Sequence, residues 1–67
     1  MEIYSNPLAR LGLSPRTLNA LAGARLTRVS QVLRRSDEEL IMIRNISRRC
    51  IEELDAKLAE MNLKRGQ

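Results

Sequence analysis

The chain has 67 residues, 43% of them hydrophobic and 30% charged, with one aromatic residue, one cysteine and no histidine. A chain this short holds one domain and buries only about 60% of its unfolded surface, yet it is too apolar, and its apolar positions too regular, for a disordered segment. It lacks the donors for a Cys/His zinc site, a disulfide framework or a Ser-His-Asp triad, so no catalytic residue, metal or other cofactor is expected. Tyr4 alone offers no stacking platform for single-stranded nucleic acid.

Lysine and arginine number 12 against 8 acidic residues, a net charge of +4. Nearly all of these cations are arginine, whose planar fork suits phosphates and base edges, whereas lysine would serve for solubility alone. Residues 1–7 do not resemble a signal peptide, and the longest apolar run, residues 40–43, is far too short to cross a bilayer. No membrane partner is expected, and the lone Cys50 fits a reducing cytoplasm.

From the N-terminus onward, residues 1–6 lack periodicity and read as a flexible arm, with Asn6-Pro7 marking the start of the ordered domain. Leu8, Leu11 and Leu13 suggest a turn that covers the core. Ser14 is a good N-cap and Pro15 a favoured first helical residue, and Leu18, Leu21 and Ala22 then repeat at helical spacing until Gly23. A second helix starts at Thr27, with Val29, Val32 and Leu33 on one face, and runs to Arg34 or Arg35. Ser36 and Glu39 have the spacing of a capping box opening a third helix over residues 37–43. A tight connection over residues 44–47 leads to the longest helix, from Ser47 to about Met61, with Cys50, Ile51, Leu54, Leu58 and Met61 on one face. Asn62 is placed to cap it, Leu63 to fold back onto the core, and residues 64–67 to fray.

The pattern predicts an all-α fold, a compact bundle of four to five short helices over residues 7–63 with a helix-hairpin-helix-like element between Ser36 and the last helix. The predicted core is Leu18, Leu21, Val29, Val32, Leu40, Ile43, Ile51, Leu54 and Leu58.

Several helix starts carry arginine where the macrodipole disfavours it by about 0.3–1 kcal/mol unless an anion is near. Arg16 follows Ser14 and Pro15, Arg28 follows Thr27, and Arg48 and Arg49 follow Ser47. A phosphate at such an end meets backbone donors, a guanidinium and the dipole together. Alternatively, Arg48 and Arg49 pair with Glu52 and Glu53 one turn on. The connection before the last helix has Ser47 where such hairpins usually carry glycine, which favours capping but crowds a phosphate.

Two motifs carry a resemblance. Leu11, Leu13, Ser14, Arg16, Asn19 and Leu21 fit L-x-L-S-x-R-x-x-N-x-L, and residues 44–54 fit R-N-[apolar]-G-[KR]-[KR]-S-[apolar]-x-E-[apolar], with Ser47 for the glycine and Cys50 for the serine. At this separation, over residues 7–63, the sequence resembles the C-terminal domain of the bacterial RNA polymerase α subunit. The resemblance implies a compact helical domain in the nucleoid that binds A/T-rich upstream promoter DNA across the minor groove. It also implies docking of transcription activators or σ factor as part of RNA polymerase. On that pattern Arg16 enters the groove, Asn19 meets base edges directly or through water, Arg49 contacts a phosphate beside Arg48, and Glu53 orients the basic cluster. Ser47 and Cys50 lie at the backbone-contacting positions, and with Ala20 they depart from the family in a way expected to weaken DNA affinity. Two alternatives stay open: a protein-interaction module of the same fold with little DNA affinity, or a stand-alone transcription regulator. A generic helix-hairpin-helix accessory domain fits the first motif less well.

Overall fold

A computed structural model describes residues 6–65, a body of 32 × 23 × 18 Å built from helices α1 (Pro15–Gly23), α2 (Val29–Leu33), α3 (Asp37–Ile41) and α4 (Arg48–Ala59). A 3₁₀ turn over Leu8–Arg10 precedes them. Among the described residues there is no strand beyond a single bridge between Pro7 and Arg28. Residues 1–5 of the predicted arm, and Gly66 and Gln67 of the predicted tail, lie outside the described residues.

Local chemistry accounts for the helix ends. Ser14 caps α1 by accepting the Thr17 amide at 3.4 Å. At α3, Ser36 Oγ accepts the Glu39 amide at 3.2 Å while Glu39 accepts the Ser36 amide at 2.9 Å, the reciprocal box its spacing predicts. Ser47 caps α4 by accepting the Cys50 amide at 3.4 Å. At its other end, α4 closes with Asn62 in the left-handed region (φ 59) and the Leu63 amide donating to the Leu58 carbonyl at 3.0 Å, which folds Leu63 onto the core.

The bounds of α2, α3 and α4 differ from the sequence reading. The second helix runs from Val29 to Leu33, not from Thr27 to Arg34 or Arg35, because the segment before α1 bridges to Arg28 and holds this N-cap residue extended (φ −129, ψ 156). The Leu8 amide donates to the Thr27 carbonyl at 2.8 Å and the Val29 amide to the Asn6 carbonyl at 3.0 Å. Gln31 then accepts the Thr27 and Arg28 amides at 2.8 and 3.0 Å. The third helix stops at Ile41, where bonds from Ile43 to Leu40 and from Ile46 to Ile43 turn the backbone tightly. The last helix stops at Ala59, not Met61, since the Leu63 to Leu58 bond belongs to the closing turn. The first helix ends at Gly23 as its spacing predicts, and the left-handed residue after it is Arg25 (φ 65).

The core gathers Leu21, Val29, Val32, Leu40, Ile51, Leu54 and Leu58 as predicted, whereas Leu18 and Ile43 are only partly buried. Their share is taken by Leu8, Leu13 and Leu26 from the connections, which the helical periodicity could not rank. On α1 the buried face is Thr17, Ala20 and Leu21, and Ala22 is exposed. Leu13 reaches the core past Gly12, whose φ of 82 suits glycine.

Two residues assigned from sequence to the arm and the tail are tied into the fold. Asn6 accepts the Val29 amide, and Arg65 is almost wholly buried at its side chain. Arg65 donates Nη1 to the Arg35 carbonyl at 2.7 Å and Nε to Asp55 at 2.9 Å, and it also pairs with Asp37. Fraying was expected from position in the sequence alone. The carboxylates that anchor Arg65 come from α3 and α4, which only the tertiary structure brings together.

Candidate nucleic-acid interface

The N-termini of α1 and α4 are joined side by side. The joint is Glu53, on the second turn of α4, which accepts the Thr17 hydroxyl at 2.6 Å, the Ser14 hydroxyl at 3.1 Å and the Ser14 backbone N–H. Thr17 is only 1% exposed, so its bond to Glu53 lies at the edge of the core. The Thr17 hydroxyl foremost, and the Ser14 backbone N–H next, hold the Glu53 carboxyl below its ordinary range because each stabilises the charged form.

Around that joint the first turns of α1 and α4 hold no acidic residue, and Arg16, Arg48 and Arg49 are exposed. Among the described residues none of the three forms an ion pair, so the pairing of Arg48 and Arg49 with Glu52 and Glu53 is not made. Glu53 is occupied by α1 instead. Arg28 is the N-cap of α2 and stands outside its first turn.

Asn19 is exposed one turn beyond Arg16 on α1, on the same face. It lines an open groove with Ala20, Gly23 and Ala24 on one wall and Ile43, Arg44 and Asn45 on the other. Cys50 lies beneath the α4 start and is 6% exposed, with the Ser47 hydroxyl donating to its sulfur at 3.5 Å. That bond, followed by one with the Thr17 hydroxyl, lowers the Cys50 pKa, against the opposing effect of burial. Ser47 itself sits in extended backbone (φ −113, ψ 169), a conformation that does not require glycine.

The structure thus brings Arg16, Ser47, Arg48, Arg49, Cys50 and Glu53 around one joint, with Asn19 on the α1 face that leads away from it. Cys50 and Glu53 turn inward. Sequence reasoning missed Thr17, whose signal was a polar residue on an otherwise apolar face three places after the N-cap, and Arg44 on the groove's second wall. Among the described residues no group of His, Cys, Asp or Glu could hold a metal ion, and no helix is long and apolar enough to cross a membrane.

Short serine-capped helices and a hairpin from α3 to α4 that leaves arginines exposed at the start of α4 define a small all-helical module of the helix-hairpin-helix-like kind. Residues 1–60 match the family model for the C terminal domain of the bacterial RNA polymerase alpha subunit. The protein is 42% identical over 62 residues to the DNA-directed RNA polymerase subunit alpha of Herpetosiphon aurantiacus, a match that takes in 92% of this sequence and 19% of that one. With the corresponding subunit of Roseiflexus castenholzii the identity is 41% over 59 residues, 88% of this sequence and 18% of the relative. With that of Thermotoga petrophila it is 30% over 70 residues, 100% of this sequence and 21% of the relative. The protein belongs to the family of bacterial RNA polymerase α C-terminal domains, a part of the transcription machinery, and spans about a fifth of the length of these relatives.

Proposed function

We propose that this domain binds A/T-rich duplex DNA through the minor groove and docks transcription regulators or σ factor in the setting of RNA polymerase, in the bacterial nucleoid. The observation that carries the reading is the joint at Glu53, which holds two helix starts together with Arg16, Arg48 and Arg49 exposed and unneutralised among the described residues. Arg16 enters a groove whose narrowness concentrates negative potential, and Asn19 meets its floor. Arg48 and Arg49 meet the sugar-phosphate backbone from the α4 start, where the Ser47 N-cap leaves the approach extended. Cys50 and Glu53 act on the ligand indirectly, Cys50 by holding the Ser47 hydroxyl and Glu53 by holding the two helix ends in register.

Titration of the domain against A-tract and G/C duplexes at two salt concentrations tests the proposal. Weak binding that is tighter on the A-tract and falls with salt is expected, the slope being set by the few phosphates that Arg16, Arg48 and Arg49 neutralise through counterion release. Equal affinity for both duplexes rejects minor-groove readout. No binding at low salt favours the protein-docking module, for which the serine at position 47 is the supporting observation.

A further inference from the structure

We infer that Arg44 is a phosphate-binding residue for duplex DNA, extending the contact along the α1 groove beyond Arg16 and Asn19. The inference rests on the DNA-binding reading above and names a residue that reading does not use.

Three observations carry it. Arg44 is exposed and, among the described residues, has neither a hydrogen bond nor an ion pair. Its backbone is held, since Ile43 donates to the Leu40 carbonyl at 3.0 Å and Ile46 to the Ile43 carbonyl at 3.1 Å. Asn45 completes that turn at φ 72, a left-handed conformation that asparagine tolerates. A guanidinium on so short a braced turn loses less freedom on binding than one on a loose loop.

The third observation is the wall that Arg44 faces. Arg16, Asn19, Ala20 and Gly23 recur at the spacing of one α-helical face, and the last three of them line the groove with Arg44. The groove therefore continues the α1 stripe that begins at Arg16. Ala20, Gly23 and Ala24 leave it shallow, and a Cβ built on Gly23 meets nothing within 4 Å. A deoxyribose fits such a wall, and the adjoining phosphate meets the fork of Arg44. The lining residues include no aromatic side chain on which a base would stack.

The test uses the 67-residue chain and compares wild type with Arg44→Gln and Arg16→Ala, each checked for helicity. The probes are A-tract and G/C duplexes and a series of A-tract duplexes in which one phosphate at a time is replaced by a neutral methylphosphonate. Arg44→Gln is expected to weaken both duplexes several-fold and equally, and to reduce the salt slope by about one. One methylphosphonate that weakens wild type is expected to leave Arg44→Gln unaffected. If affinity and salt slope are unchanged by Arg44→Gln while Arg16→Ala removes the A/T preference, the role of Arg44 is overturned and the DNA-binding reading stands. If wild type binds no duplex, both fail.

Discussion

Thr17 and Glu53 stand 36 positions apart in the sequence and are joined by a 2.6 Å hydrogen bond from hydroxyl to carboxylate. This contact decides the relative placement of the two arginine-bearing helix starts. Replacing Thr17 by valine removes the donor and keeps the shape. A hydrogen bond to a charged group contributes about 1.5–3 kcal/mol, so Thr17→Val is expected to lower the unfolding free energy measured in urea by an amount in that range. An unchanged urea midpoint means that Ser14 alone holds Glu53.

The same contact makes stability depend on pH. Folding depresses the Glu53 pKa below its ordinary value, so the folded carboxyl binds its proton less readily than the unfolded one. Its stabilising contribution is complete above the unfolded value and is lost as pH falls through the lowered folded value. Urea melts across that acidic window are expected to show stability falling with pH, and Glu53→Gln to flatten this part of the curve. Parallel curves for wild type and Glu53→Gln assign the acid sensitivity to other carboxylates.

Arg16 and Arg49 are predicted to fail differently on DNA. Arg16→Ala is expected to weaken binding and erase the A/T preference, since groove width is sensed only by a side chain within the groove. Arg49→Ala is expected to weaken A/T and G/C duplexes alike and to lower the salt slope by about one, because a phosphate contact carries no sequence information. Indistinguishable variants argue against separate groove and backbone roles.

Arg25 occupies a left-handed turn at φ 65, where a side chain bearing Cβ is strained by about 1–2 kcal/mol. Glycine relieves that strain, and the greater freedom it gives the unfolded state offsets about 0.4–1 kcal/mol of the gain. Arg25→Gly is therefore expected to raise the thermal midpoint by a few degrees. A lower midpoint implies that the Arg25 side chain supports the fold.

Leu54, 1% exposed at the middle of α4, tests the packing itself. Leu54→Ala is expected to cost about 2–5 kcal/mol, enough to unfold much of so small a domain at ambient temperature. A thermal midpoint close to that of wild type removes Leu54 from the core.

The helices, their serine caps and the buried face of α4 were legible in the sequence because each depends on residues within a few positions of one another. Ser36 and Glu39 cap α3, and Ile51, Leu54 and Leu58 share a face, through backbone geometry alone. The two motifs around Arg16 and Arg49 likewise identified the family without any fold. What remained hidden depends on contacts between distant segments. Pairing of residues 6–8 with 27–29 moved the start of α2 and made Arg28 its N-cap. Leu26 entered the core from the loop between α1 and α2, which has no period to read, and Leu8 and Leu13, expected only to cover the core, are part of it. Glu53 had an arginine neighbour available in sequence, yet tertiary packing presented it with two hydroxyls and a backbone N–H from α1. A buried hydroxyl without a partner is costly, so Thr17 at the core edge and the carboxylate beside it satisfy each other, leaving Arg48 and Arg49 free of it.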